Sequence, residues 1–301
     1  MNENLLKNFL ETVADRFESA ELFYGHGTDN AWDEAVYLVF STLGIDFAAD
    51  DSVLSRTLQD EEVQRLQRLV DRRINERIPV AYLVGEAWFA GLPFKVDERV
   101  LIPRSPMAEL VLQGFATLLP HYPDKILDLC TGSGCIGIAC ALRFADAQVD
   151  LADISAPALA LAQENLARYE LQHRVKSLQS DLFTGIANRD GGNRYDLIVC
   201  NPPYVSREEV DELPAEYRCE PELGLLSADN GLALPLQILK QAADYLSDDG
   251  VLILEVGYSH EALAQRLPEV PLMWLEFACG GEGVLVLTRP QLLAFREHFH
   301  S

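Results

Sequence analysis

The chain has 301 residues, of which 49% are hydrophobic and 24% charged, with a formal net charge of −23. That length accommodates one large domain and a smaller one, and hydrophobic residues spread along the whole chain exclude a disordered or membrane-embedded class. The acidic balance argues against a groove that grips phosphate backbones, so direct nucleic-acid binding is not expected, and it favours a basic protein partner.

The opening segment MNENLLKNFLETVADRF is acidic and mixed, with no basic flank, apolar centre or small-residue cleavage site, and it reads as cytoplasmic with no membrane association. Leu5, Leu6, Phe9, Leu10 and Val13, and later Ala35, Leu38, Val39 and Leu43, recur at helical spacing, which predicts a helical N-terminal domain over residues 1–80. In YGHGTDNAWDEAVYLVF a glycine-rich loop precedes polar residues that start a helix, so His26 is a loop residue without a catalytic role. Arg65, Arg68, Arg72, Arg73 and Arg77 alternate with Leu66, Leu69, Val70 and Ile74, the pattern of a solvated helix face rather than an RNA contact.

Residues 81–104, AYLVGEAWFAGLPFKVDERVLIPR, predict a β-hairpin linker, after which Ser105-Pro106 starts a helix with proline at its first position. From about residue 124 strands alternate with helices: KILDLC, then GCIGIACALRF, AQVDLADI, APALALAQENLARY, VKSLQSDLF and YDLIVCNPPYV, followed by ALPLQILKQAADYL, VLILEVG, HEALAQRLP and a closing hairpin WLEFAC-GGEG-VLVLTR. This predicts an α/β domain over residues 105–301: a mostly parallel sheet covered on both faces, with an antiparallel strand at its edge. Ligands bind such sheets beyond the carboxyl ends of the strands. Six cysteines at positions 130, 135, 140, 200, 219 and 279 form no CxxC pair and have no histidine at ligand spacing, so they read as free, mostly buried thiols and no metal is expected.

The first strand runs into Asp128-Leu129-Cys130-Thr131-Gly132-Ser133-Gly134, and Gly132, Gly134 and Gly137 match GxGxxG. Asp153 follows at the end of the second strand, placed to accept both hydroxyls of an adenosine ribose. Those residues fit a nicotinamide enzyme or an S-adenosylmethionine enzyme alike. Asp128 favours the second, because negative charge there suits a cationic amino-acid end better than a pyrophosphate. Asp181 at the third strand end is placed to accept from an adenine amino group, with Leu182 or Phe183 on the ring. The fourth strand stops at Asn201-Pro202-Pro203-Tyr204, since neither proline can donate a ladder bond and Pro202 pushes Asn201 out of helical geometry.

Asp128-Leu-Cys-Thr-Gly-Ser-Gly, Asp153, Asp181 and Asn201-Pro-Pro-Tyr, in this order, resemble the class I methyltransferases of amide and exocyclic amino nitrogens. With the N-terminal helical part and LIPRSPMAEL, nearly the whole chain is similar to the protein-glutamine methyltransferases. Arg104-Ser105-Pro106-Met107-Ala108-Glu109, GHGTDNAWDEA and EPELGLLSADNGL resemble the branch acting on a large-subunit ribosomal protein rather than the release-factor branch. Cys130 departs from the glycine many relatives carry. The resemblance implies a Rossmann-like fold and S-adenosyl-L-methionine held by Asp128, Thr131, Gly132, Ser133, Gly134, Asp153, Asp181, Leu182 and Asn201. It also implies a substrate glutamine held by Asn201, Pro202, Pro203 and Tyr204, with Asn201, Pro202 and Tyr204 catalytic and the N-terminal domain docking the substrate. Release-factor methylation, adenine methylation by the same turn, and a nicotinamide-dependent oxidoreductase are the other readings.

Overall fold

A computed structural model of the chain describes residues 4–186 and 194–300. Helix α1 (Leu6–Ser19) buries Leu6, Phe9, Leu10, Val13 and Phe17, the stripe expected from their spacing. Helix α2 (Ala31–Leu43) begins where the Asn30 side chain accepts from the Asp33 amide at 2.9 Å, and it ends at Gly44 in the left-handed region. Helix α3 (Asp60–Asn75) is started by a capping box between Gln59 and Glu62, and the short α4 (Val80–Val84) follows. These helices share a core with Val96, Val100 and Ile102, and with Ala158 and Leu161 from much further along the chain.

Arg73 overturns the solvated-face reading at one position. Only 1% exposed, its Nε donates to Glu34 at 2.6 Å, Nη1 to Glu216 at 3.1 Å and Nη2 to the Phe23 carbonyl at 2.9 Å. A buried guanidinium needs such partners, and these lie 39, 143 and 50 residues away, where no local pattern reveals them.

The predicted hairpin is present as β1 (Glu86–Phe89) and β2 (Leu92–Lys95), narrower than the segment that suggested it. Helix α5 (Met107–Gln113) starts one residue later than expected, with the Ser105 hydroxyl accepting from the Met107 amide. There follow β3 (Lys125–Leu129), α6 (Cys135–Arg143), β4 (Gln148–Asp153), α7 (Ala156–Arg168), β5 (Val175–Gln179), β6 (Tyr195–Cys200), α8 (Arg207–Glu212), α9 (Ala233–Ala242), β7 (Leu246–Glu255), α10 (His260–Arg266), β8 (Met273–Trp274), β9 (Val284–Thr288) and α11 (Arg289–Ala294). Among the described residues seven strands form one sheet, ordered β5-β4-β3-β6-β7-β9-β8, parallel from β5 to β7 and antiparallel from β7 onward. The fold is that of a class I methyltransferase with a helical N-terminal region. The closing hairpin differs in detail: β8 has two residues, and Glu276 to Cys279 are not strand.

Two-residue alternation sorts each central strand between the faces. Ile126, Leu197, Val199, Val251 and Ile253 enter one core cluster, while Leu127, Leu129, Ile198, Cys200, Leu252 and Leu254 enter the other. By the same alternation Asp128 on β3 and Glu255 on β7 continue the first row at the carboxyl ends. No described helix is long and apolar enough to cross a membrane, and no described group of three His, Cys, Asp or Glu side chains is placed to hold a metal. Cys135, Cys140 and Cys200 are buried, Cys130 and Cys219 are half-buried, and Cys279 is exposed.

Candidate functional site

The turn after β3 is built from three left-handed residues: Cys130 at φ +59°, Gly132 at +54° and Gly134 at +82°. Cys130 therefore keeps the backbone that glycine would adopt, at a cost of order 1 kcal/mol. Gly137 is required by close approach: a Cβ there would lie 2.2 Å from Leu151 Cδ2 and 2.8 Å from Asp128 Cβ, so β3, β4 and α6 meet without a side chain between them.

Asp128 is 1% exposed beneath this turn, and its Oδ2 accepts from the Thr131 hydroxyl at 2.5 Å and the Gly137 amide at 2.8 Å. Burial pushes its carboxyl up to about 7. Its side chain lies beneath the cavity rather than in its wall, and the carboxylate ties the loop to the helix start. Its other oxygen, Oδ1, is buried without a partner.

That cavity, of about 230 Å3, lies beyond the ends of β3, β4 and β6, and its wall includes Thr131, Gly132, Ser133, Asp153, Asp181, Leu182, Asn201 and Pro203. Asp153 is held from both sides, Oδ2 by the Gly132 amide and Oδ1 by the Ser155 amide, each at 2.8 Å. Burial raises its carboxyl. Fixed this way, with lone pairs remaining toward the cavity, it suits a pair of ligand hydroxyls. Asp181 is exposed at the rim and Leu182 is buried in the wall. Phe183 points away, stacked on Tyr245 at 4.4 Å in the core, so of the two apolar candidates Leu182 is the one in the cavity wall.

The Asn201-Pro202-Pro203-Tyr204 turn ends β6 and is stitched to the segment 225–227: Val205 donates to the Leu225 carbonyl and accepts from the Ser227 amide, both at 2.9 Å. A second, larger cavity of about 630 Å3 opens on its other side, with Asn201, Pro202, Tyr204, Tyr217, Glu255, Gly257 and Tyr258 in its wall. Leu101, Arg104, Asn201 and Gly224 belong to both walls. Asn201 thus stands where the cavities adjoin, and its carboxamide makes no hydrogen bond to another described residue. Glu209, Glu212 and Glu282 line the second cavity, giving it an acidic wall.

Several residues around the site escaped the sequence reading. Arg104 grips Glu220 with both terminal nitrogens, at 2.6 and 2.8 Å, and stacks over the Tyr217 ring at 5.2 Å. Burial pushes the Glu220 carboxyl up, but Arg104 and His26 together outweigh it and hold the group at about 2. His26 is a loop residue, as expected, yet buried, 3.5 Å from Glu220. Glu255 had one available signal, an acid closing an apolar run at a strand end, the same signal that Asp153 gave.

The family "Methyltransferase small domain" matches residues 108–216. The chain is 41% identical over 300 residues to the ribosomal protein uL3 glutamine methyltransferase of Francisella tularensis, covering 99% of this chain and 94% of that protein. It is 49% identical over 280 residues to the protein of the same description from Xanthomonas campestris pv. campestris, covering 93% and 89%. Among solved structures it is similar in fold to the hMettl16 catalytic domain, at a TM-score of 0.52 and 17% identity over 78% of this chain and 84% of that one.

Proposed function

The chain belongs to the ribosomal protein uL3 glutamine methyltransferases, and from that premise we propose that it transfers a methyl group from S-adenosylmethionine to the side-chain amide nitrogen of a glutamine in ribosomal protein uL3. The observation that carries the site assignment is Asn201, whose unengaged carboxamide stands in the wall of both cavities. The smaller cavity takes the cofactor and the larger one the glutamine. Bound there, S-adenosylmethionine supplies a methyl group already activated on a sulfonium.

Asp153 accepts the ribose hydroxyls, Leu182 packs on the adenine and Asp181 accepts its amino group, while the backbone of Thr131, Gly132, Ser133 and Gly134 passes close beneath the amino-acid end. An amide nitrogen is a weak nucleophile because its lone pair is delocalised into the carbonyl, so orientation supplies much of the rate. Asn201 Oδ1 and the Pro202 carbonyl accept the two N–H donors of the substrate amide and aim its nitrogen into the cofactor cavity. As the nitrogen becomes more positive during transfer both hydrogen bonds strengthen, which is stabilisation selective for the transition state. Pro203 keeps the turn stiff and Tyr204 packs on the amide plane. The proton leaves to solvent after transfer, so no base is required.

The acidic wall at Glu209, Glu212 and Glu282, together with a net charge of −23, suits a basic protein segment. Residues 1–80 serve to dock that protein and residues 105–301 perform the transfer. The test is incubation with S-adenosylmethionine and, separately, uL3 and a release factor, followed by intact mass and residue mapping. One added methyl on a glutamine of uL3 alone is the expected result; a gain only on the release factor overturns the substrate assignment, and none on either overturns the reaction.

A further inference from the structure

We propose that Glu255 is a positioning residue for methyl transfer, its carboxylate fixing where the Tyr204 ring stands in the wall of the substrate cavity. This deepens the functional reading above and rests on it. Glu255 closes β7, next to β6 in the sheet, so the end of one strand faces the turn at the end of the other. It is 4% exposed, and both carboxylate oxygens are engaged by groups from different segments. Oε1 accepts from the Tyr204 hydroxyl at 3.2 Å, and Oε2 accepts from the Ser105 hydroxyl at 2.5 Å. Ser105 also accepts from the Met107 amide, so the carboxylate is anchored to the start of α5 as well as to β7.

The remaining contacts of Tyr204 point to a mount for the ring. A Cβ on Gly257 would fall 2.5 Å from its Cε2 and 2.7 Å from its Cζ, so the ring packs against a residue that must lack a side chain. The Tyr204 carbonyl accepts from the Ser259 hydroxyl at 2.8 Å, and Gly231 leaves room for that carbonyl, which its Cβ would meet at 2.2 Å. Backbone and ring are thus held by the turn Gly257–Ser259, and the hydroxyl by the end of β7. Of these, only the hydroxyl contact is a side-chain bond to a group that is itself anchored at Ser105, and it fixes the far end of the ring. A ring packed on the substrate amide acts through its position, and a misplacement near 1 Å can cost on the order of 100-fold in rate.

The test compares Glu255→Gln, Glu255→Ala and Tyr204→Phe, singly and combined, by methyl transfer to uL3, with cofactor affinity measured by calorimetry. Glutamine keeps an acceptor for the tyrosine hydroxyl and should retain most of kcat. Alanine should lower kcat about 100-fold with cofactor affinity unchanged and little change in KM. Because Glu255 acts through the hydroxyl, Glu255→Ala should add less than about threefold to the loss in a Tyr204→Phe background. Multiplicative losses in the double variant, or a Glu255→Gln loss as large as that of alanine, would overturn the proposal. Should Glu255→Ala not fold, Gly257→Ala displaces the ring and leaves the carboxylate in place: it must reproduce the kcat loss, and unchanged kcat overturns the proposal. Absence of transfer to uL3 by the unaltered chain, with cofactor bound, would overturn the functional reading itself and the proposal with it.

Discussion

Replacing Arg73 by methionine tests whether the buried ion cluster holds the N-terminal helices to the rest of the chain. Glu34 and Glu216 are 3% and 2% exposed, and Arg73 is the cation within 3.1 Å of both. Arg77, 3.6 Å from Glu216, is about one-third exposed and too distant to substitute for it. Glu216 shows how finely the cluster is balanced: burial pushes its carboxyl up, yet backbone donors, including the Phe23 amide at 3.2 Å, and Arg73 bring it below the usual carboxylate value. Methionine fills much of the volume but leaves two buried carboxylates facing each other. Breaking a buried pair from one side costs about 3–5 kcal/mol, a large share of the roughly 5–15 kcal/mol that a domain has. Urea unfolding followed by circular dichroism should show the midpoint fall by at least about 1 M. The combined replacement R73M, E34Q and E216Q removes the charges together and should recover much of the loss, because uncharged replacements of a buried cluster are often neutral. A loss below about 1 kcal/mol for R73M alone would refute the reasoning, since the acids would then have other partners.

Asn201→Ala should lower kcat by about 100-fold or more with cofactor affinity unchanged, whereas Asp153→Ala should weaken cofactor binding by a similar factor; calorimetry and single-turnover assays separate the two, and loss of cofactor binding in Asn201→Ala would count against the carboxamide role. Gly137→Ala forces a methyl to within 2.2 Å of Leu151 Cδ2 and should cost about 1–3 kcal/mol by urea unfolding. Asp128 sets a pH dependence: its folded value of about 7 lies above its ordinary 3.8, so the folded state holds the extra proton and stability falls as pH rises through that window, levelling above about 7. At 1.36 kcal/mol per unit this is on the order of 4 kcal/mol, and Glu255, also raised to about 7, acts in the same direction. Unfolding midpoints should drop from pH 5.5 to 8, and Asp128→Asn should flatten the drop; an unaltered slope would show that Asp128 ionises without cost.

What was legible in the sequence depended on short-range pattern. The alternation of apolar runs placed β3 to β7 and their helices, and the glycines and Asn201-Pro202-Pro203-Tyr204 marked two of the strand ends that converge on the site. What was not legible depended on partners distant in sequence or on elements too short to show a period. Helix α8 has six residues with none buried, and β8 has two. Arg73 sits in a run of arginines that looks uniformly solvated until residues 34 and 216 are brought to it. Phe183 follows Leu182 and was equally eligible for the ligand; Leu182 at φ +44° turns the chain so that the next ring faces Tyr245 instead.

Three carboxylates at strand ends show why residue type alone could not assign roles. Asp128, Asp153 and Glu255 each close or nearly close an apolar strand, and burial raises all three. Their partners separate them. Asp128 lies under the turn, and the donors that reach it come from that turn and its helix. Asp153 takes two backbone donors and stays partly exposed, which leaves a rigid acceptor for a ligand. Glu255 takes two side-chain hydroxyls from segments 99 residues apart, and therefore couples them to each other. A strand end fixes where a carboxylate stands, but the donors that reach it decide whether it holds a loop, a ligand or another side chain, and those donors come from parts of the chain that only folding brings near.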